Sequence, residues 1–210
     1  MAGYSAAISD APLIVATLVL FNKPHGVLTQ FSAEGRHKTL RDFIDIPGIY
    51  PAGRLDADSE GLVVLTDDGA LQARISHPRH KQEKVYWVQV EGVPDDAALV
   101  TLRAGLDLGD FRSKPCVARL MHEPANLWPR DPPIRYRASI PTSWLEIRIT
   151  EGKNRQVRRM TAKIGYPTLR LIRWAVGDWT LAGLLPGQLR QVNYQYPHTA
   201  APGGMNSAHN

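Results

Sequence analysis

Apolar residues recur along this chain in short blocks separated by turn formers, and the period of each block assigns it to a strand or a helix. Ile14 to Phe21 is almost wholly apolar and predicts a first strand. A turn at Asn22-Lys23-Pro24-His25-Gly26 follows, with Val27 to Thr29 resuming extended structure. Thr39 suits the N-cap of a short helix through Ile44, stopped by Pro47 and Gly48. Leu62 to Thr66 predicts a strand, and Gly69 to Ser76 a helix whose positive N-terminus is met by Asp67 and Asp68. Lys84 to Val90 alternates, with Val85, Trp87 and Gln89 on one face and Tyr86, Val88 and Val90 on the other. Pro94-Asp95-Asp96 opens a helix that runs to Ala104 and ends at Gly105, before a strand near Cys116 to Met121. Ser143 to Thr150 alternates again, setting Trp144, Glu146 and Arg148 against Leu145, Ile147 and Ile149. Asn154 is expected to cap a helix over Arg155 to Ile164, closed by Gly165, Tyr166 and Pro167. Leu169 to Val176, Trp179 to Leu181 and Leu189 to Val192 supply the last strands.

Strands and helices that do not alternate strictly, joined by short connections, predict an α+β class with a mixed, largely antiparallel central sheet flanked by helices. The reading is one domain over residues 14–196, a flexible N-terminal arm over 1–13 and a disordered tail over 197–210. Glu123 to Pro141, rich in Pro and Arg, reads as a long functional loop. With 210 residues, 43% of them hydrophobic, the chain has ample material for a core. The nine-residue apolar run Leu13 to Phe21 is too short to span a membrane, and no basic leader precedes a cleavage site. A single cysteine, Cys116, cannot form an internal disulfide, which fits a reducing cytoplasm. Its apolar neighbours make it a small core residue.

Charge narrows the partner. A formal charge of +5 and a pI near 9.5 favour an acidic ligand. The distribution is sharper: seven Lys or Arg and no Asp or Glu lie between Lys153 and Arg173. That asymmetry, with the basic connector His77 to Lys81 and the loop around Arg130, Arg135 and Arg137, points to nucleic acid.

Candidate chemistry gathers in two stretches. The first, Gly53-Arg54-Leu55-Asp56-Ala57-Asp58-Ser59-Glu60-Gly61-Leu62, crowds three carboxylates at the mouth of a strand. Its spacing imitates a calcium loop, but such a loop needs a flanking helix that Pro47, Gly48, Pro51 and Gly53 exclude. A glycosidase pair is disfavoured because Asp56 and Asp58 on extended backbone point in opposite directions. On these residues alone the cluster reads equally as a solvated turn or a reactive loop. The second stretch, Glu151 to Met160, would place Arg155 and Arg159 on one helical stripe, with Arg158 beside it, where guanidinium groups can bind phosphate or a buried carboxylate. The seven histidines form no metal-ligand pattern, and no phosphate-binding loop or dinucleotide fingerprint is present, so no metal is expected.

Asn22-Lys23-Pro24-x-Gly26, Gly53-Arg54-Leu55-Asp56-x-x-Ser59-x-Gly61-Leu62, Lys84-x-Tyr86 and Gly152-Lys153-Asn154-Arg155-Gln156-Val157-Arg158-Arg159-Met160 occur in that order. Together they resemble the bacterial ribosomal RNA pseudouridine synthases of the small-subunit synthase A branch, over about residues 14 to 192. Asn154-Arg155 and the run Leu169-Arg170-Leu171-Ile172-Arg173 resemble a subgroup acting on large-subunit ribosomal RNA. The resemblance implies the pseudouridine synthase fold with an active-site cleft, and isomerisation of uridine without cofactor or metal. By motif position it makes Asp56 the catalytic carboxylate, Tyr86 the residue that stacks on the everted base and accepts a proton, and Arg158 the arginine that pairs with Asp56. Asp58 and Glu60 are then expected to shape the turn or face solvent. Arg54, Lys84, Lys153, Arg155, Arg159, Arg170 and Arg173 are candidate RNA contacts, and Leu169 or Leu171 would pack under the site. Family members commonly carry a separate small RNA-binding domain ahead of the catalytic one. Only about thirteen residues precede the first strand here, so recognition is expected from the catalytic domain itself. No obligate protein partner is evident, and a monomer is expected. The rivals are a noncatalytic RNA-binding protein and a glycosidase-like hydrolase; convergence of Asp56, Tyr86 and Arg158 on one pocket discriminates between catalyst and binder.

Overall fold

The computed structural model describes residues 12–134 and 139–197; residues 1–11 of the expected arm, 198–210 of the expected tail, and Arg135 and Arg137 lie outside the described residues. Among the described residues, nine strands form one sheet: β1 (Leu13–Lys23), β2 (Tyr50–Pro51), β3 (Glu60–Thr66), β4 (Lys84–Glu91), β5 (Val117–Met121), β6 (Thr142–Ile149), β7 (Thr168–Val176), β8 (Trp179–Thr180) and β9 (Leu189–Pro197). Three α-helices accompany them: α1 (Gly69–Ser76), α2 (Asp96–Ala104) and α3 (Gln156–Lys163). The order is β5-β6-β4-β7-β3-β1-β9, with β2 paired to β3 and β8 to β7. Of these pairings only β3 with β7 is parallel and the rest are antiparallel, so the expected α+β mixed sheet is observed.

The alternation of β4 divides the core as its sequence predicts. Tyr86, Val88 and Val90 pack with Leu145, Ile147, Ile149 and Leu171 beneath Leu99 and Leu102 of α2 and Val157 and Met160 of α3. Trp87 turns to the other face, beside Trp144 and Ile172. Each large apolar side chain fully buried this way contributes about 1.5–3 kcal/mol. A third cluster joins Val19 and Phe21 of β1, Val63 and Leu65 of β3, and Leu55 of the loop before β3. All seven residues of β3 are buried, as expected for a strand covered on both faces.

Local signals explain the helix ends. Asp68 caps α1 by accepting from the Leu71 N–H at 2.7 Å, and Asp95 caps α2 by accepting from Ala98 N–H at 2.8 Å. Thr39 precedes a single 3-10 turn, Leu40–Asp42, rather than a longer helix. β9 continues to Pro197, beyond the expected Val192, because β1 offers it partners as far out as Leu13.

Asn154 does not cap α3. The N-cap is Arg155, in the left-handed region at φ 49°, and its side chain makes no cap bond. The buried Gln156 organises this turn instead: its Oε1 accepts from Lys153 N–H at 3.0 Å, and its Nε2 donates to Glu151 Oε1 at 2.5 Å. The helix therefore starts one residue later than the capping signal suggests, and Arg155 leaves the predicted helical stripe.

At the parallel crossing, Gly61 (φ 109°) faces Arg173 so closely that a Cβ would lie 2.4 Å from the Arg173 carbonyl oxygen. Only glycine permits both the backbone angle and the approach of the two strands that carry the site.

Candidate active site

The loop that enters β3 is fastened on three sides. Leu55 is 7% exposed in the third core cluster. Thr29 Oγ1 donates to the Leu55 carbonyl at 2.6 Å and accepts from its N–H at 3.2 Å. Two residues on, the Ala57 carbonyl accepts from Gly26 N–H at 2.7 Å and from Lys23 Nζ at 3.4 Å. Asp56, between these anchors, keeps a side chain 42% exposed.

That side chain lines a cavity of about 730 Å³, a volume suited to a nucleotide-sized ligand. Tyr86 and Lys84 of β4, Leu171 and Arg173 of β7 and the turn from Thr150 to Arg155 also line it. Asp56 and Tyr86 thus share one cavity, and Arg54, Lys84, Lys153, Arg155 and Arg173 surround them with positive charge. The convergence is tertiary, since these residues come from four separate stretches of chain.

Arg158 stands behind this lining, and its pairing corrects the sequence expectation. Its Nη2 donates to the Asp58 carbonyl at 2.6 Å and to Ser59 Oγ at 3.3 Å, and its Nε lies 3.5 Å from Asp58 Oδ2. The guanidinium nearest Asp56 is that of Arg155, at 3.8 Å. Arg155 also grips Asp58 with two bonds of 3.0 and 2.8 Å. The left-handed turn at Arg155 is the reason: it frees this arginine from the helix, while Arg158 is held on the helix against the backbone of the turn. Burial resists ionisation of Asp58, but the Arg155 hydrogen bonds and the charges of Arg158 and Arg155 outweigh it and hold its carboxyl below the usual range. Asp58 is accordingly an anchor between the β3 loop and α3, where a solvent-facing turn residue was expected.

Glu60 departs further from its expected exposure. It is 2% exposed, accepts two bonds from Arg170 at 2.8 and 2.9 Å, and takes a third from Trp128 Nε1 at 2.8 Å. Arg170, expected to meet RNA, is therefore buried in a structural ion pair and also donates to the Trp128 carbonyl at 3.0 Å. Arg173 is equally committed: 5% exposed, it donates to the Leu62 carbonyl at 2.7 Å and the Arg54 carbonyl at 3.2 Å, fastening β7 to β3 below the cavity. Arg159 pairs with Asp110 and stacks over Phe111. Of the two leucines, Leu171 lines the cavity and Leu169 does not.

Two lysines bring unusual electrostatics. Burial, reinforced by Arg173, pushes Lys84 below its ordinary range, and its Nζ donates to the Gln82 carbonyl at 3.0 Å. Lys23, read from sequence as part of a turn, is wholly buried and donates to the Pro24 and Val27 carbonyls at 3.0 and 2.8 Å. Burial lowers it to about 7 against the attraction of Glu60. The signal for Lys23 was its place in Asn22-Lys23-Pro24-x-Gly26; nothing local indicated that the side chain points inward.

The profile of the family described as RNA pseudouridylate synthase matches residues 17–163. A protein of Xanthomonas axonopodis pv. citri named ribosomal large subunit pseudouridine synthase E is 58% identical over 171 residues, covering 80% of this chain and 90% of the relative. A Vibrio vulnificus protein of the same name is 54% identical over 177 residues, covering 84% and 75%. A crystal structure of a pseudouridylate synthase superimposes with a TM-score of 0.70 at 28% identity, covering 84% of this chain and 70% of the other.

Proposed function

Since the chain belongs to the RNA pseudouridylate synthase family, we propose that it converts a specific uridine of large-subunit (23S) ribosomal RNA to pseudouridine, with Asp56 as the reacting carboxylate and no cofactor. Relatives named ribosomal large subunit pseudouridine synthase E support the choice of RNA and the subgroup; the assignment to the small-subunit synthase A branch rests on the four ordered motifs. The observation that carries the site assignment is the meeting of Asp56 and Tyr86 in one cation-walled cavity.

The reaction is an exchange of bonds at the ribose C1′. The C1′–N1 bond breaks, a C1′–C5 bond forms, C5 loses a proton and N1 gains one. Atoms and electrons balance within the nucleotide, so a nucleophile and a proton carrier suffice. Reaching the base requires extruding it from any helix, and the phenol ring of Tyr86, 7% exposed on the cavity wall, offers the surface on which it would stack. Asp56 then acts as the reacting carboxylate, with the Arg155 guanidinium 3.8 Å away, and Tyr86 accepts the proton released from C5. Arg158 is a positioning residue in this scheme: through the Asp58 carbonyl and Ser59 it fixes the turn that aims Asp56. Arg54, Lys84 and Lys153 supply charge for the RNA backbone around the target.

Mapping pseudouridines in ribosomal RNA from cells lacking the protein tests this reading. One site in the large-subunit RNA is expected to revert to uridine and to be restored by the wild-type chain. An unchanged set of pseudouridines in such cells would overturn it.

A further inference from the structure

The turn between β6 and α3 brings Arg155 to the cavity, yet nothing in Lys153, Asn154 or Arg155 themselves holds it there. All three are exposed, Arg155 stands in the left-handed region at φ 49°, and its side chain makes no cap bond. A residue with a Cβ keeps that backbone conformation only where its surroundings over-determine it. The pairs that Arg155 makes with Asp56 and Asp58 are half exposed, and such pairs are worth less than the strain of a left-handed turn at a non-glycine residue. They follow from the turn and do not impose it.

What imposes it is one buried amide. Gln156 is 3% exposed, and both ends of its side chain are used. Its Oε1 accepts from Lys153 N–H at 3.0 Å, its own backbone N–H donates to the Lys153 carbonyl at 3.1 Å, and its Nε2 donates to Glu151 Oε1 at 2.5 Å. Glu151 Oε1 also accepts from Lys114 N–H at 2.8 Å, which ties the turn to the chain entering β5. Nε2 lies 3.7 Å from Met160 Sδ, inside the core cluster beneath α3. The arrangement needs an acceptor and a donor on one side chain, which a carboxamide supplies and a carboxylate or a thioether does not.

We propose that Gln156 is a positioning residue for the reaction: its amide, clamped between Glu151 and the Lys153 N–H, holds the left-handed turn that carries Arg155 to Asp56. The inference rests on the function proposed above and deepens it. Gln156 makes no bond to Asp56; it acts through Arg155, whose guanidinium stands 3.8 Å from Asp56 and bonds Asp58 at 3.0 and 2.8 Å.

Three variants test the clamp. Gln156→Met removes both side-chain bonds, Gln156→Glu sets a carboxylate against Glu151, and Glu151→Gln/Gln156→Glu exchanges donor and acceptor. Single-turnover rates on unmodified large-subunit ribosomal RNA should fall about 10²-fold in Gln156→Met and Gln156→Glu, as for a misplaced group near the chemistry, with RNA affinity changing far less. The exchange should recover most of the lost rate. In an Arg155→Ala background, Gln156→Met and Gln156→Glu should cost no further rate, because the residue through which Gln156 acts is gone. Losses by the same factor in both backgrounds would overturn the proposal, as would an exchange no faster than Gln156→Glu; if Gln156→Met does not fold, the Glu variants decide. Placement of Arg155 is read without turnover by NMR titration of Asp58. Burial raises that carboxyl and the Arg155 bonds outweigh it, so its pKa should move upward in Gln156→Met. If the unsubstituted chain forms no pseudouridine while Asp58 moves, the functional reading fails and the clamp stands. Normal turnover, with neither the rate nor Asp58 responding to Gln156→Met, removes the clamp and leaves the functional reading in place.

Discussion

Asp56 and Glu60 are carboxylates four residues apart, one on the loop that enters β3 and the other at the first position of that strand, and the fold treats them oppositely. Glu60 is buried, with three donors from Arg170 and Trp128 shared between its two oxygens. Asp56 is 42% exposed, with one arginine at 3.8 Å and a cavity in front of it. A carboxylate that is buried and hydrogen-bonded on both oxygens holds elements together, whereas one that stays accessible and lightly paired can react. Crowding of acidic residues in the sequence is thus resolved by burial into a structural member and a chemical one, while Asp58, held by Arg155 and Arg158, ties the loop to the start of α3.

Breaking the Glu60 side of the contrast should produce the largest change in stability. Glu60→Ala leaves Arg170 buried without its partner, which costs about 3–5 kcal/mol. Chemical denaturation should show that loss and retain the slope of a cooperative transition. A loss below about 1 kcal/mol would mean that the pair is not structural.

Lys23 sharpens the contrast, because burial lowers its pKa while Glu60, and less strongly Asp58 and Asp56, attract its charge and Arg173 repels it. Its folded pKa, near 7, lies below the ordinary 10.5, so the unfolded chain binds the extra proton between those values and this residue makes the fold more stable as pH rises through that window. The stability of the unsubstituted chain minus that of Lys23→Met should increase from pH 7 to pH 9. A difference independent of pH would contradict the burial of a neutral lysine under the turn.

Arg155→Ala should have the smallest effect on stability. Its ion pairs are half exposed, and such pairs are worth about 0–1 kcal/mol. Activity should fall much further, since Asp56 loses its nearest cation. Equal losses of stability and activity would assign Arg155 to the structural group with Arg170.

Much of the fold was legible in the chain. The alternation of Lys84 to Val90 and the acidic caps at Asp68 and Asp95 are local signals, and the elements follow them closely. The motif around Asp56 and the strand bearing Tyr86 were also visible, and they meet. The partners of the arginines were not. The stretch from Lys153 to Arg173 contains no acid, which suggested a free basic surface, yet Asp58, Asp110 and Glu60 reach it from other elements. Arg170 and Arg173 lie on β7, a strand enclosed between β3 and β4, so their burial depends on the sheet order rather than on their neighbours in sequence. The left-handed residue at Arg155 likewise has no local signature, because a buried glutamine replaces the expected asparagine cap.

Asp56, and not its neighbouring acids, is assigned the chemistry. Single-turnover conversion of unmodified large-subunit ribosomal RNA by Asp56→Asn probes that assignment with the fewest intervening steps. The expected result is a loss of at least about 10³-fold, some 4 kcal/mol of barrier, with melting temperature and RNA affinity close to those of the unsubstituted chain. Turnover within about tenfold of the unsubstituted chain would refute the assignment.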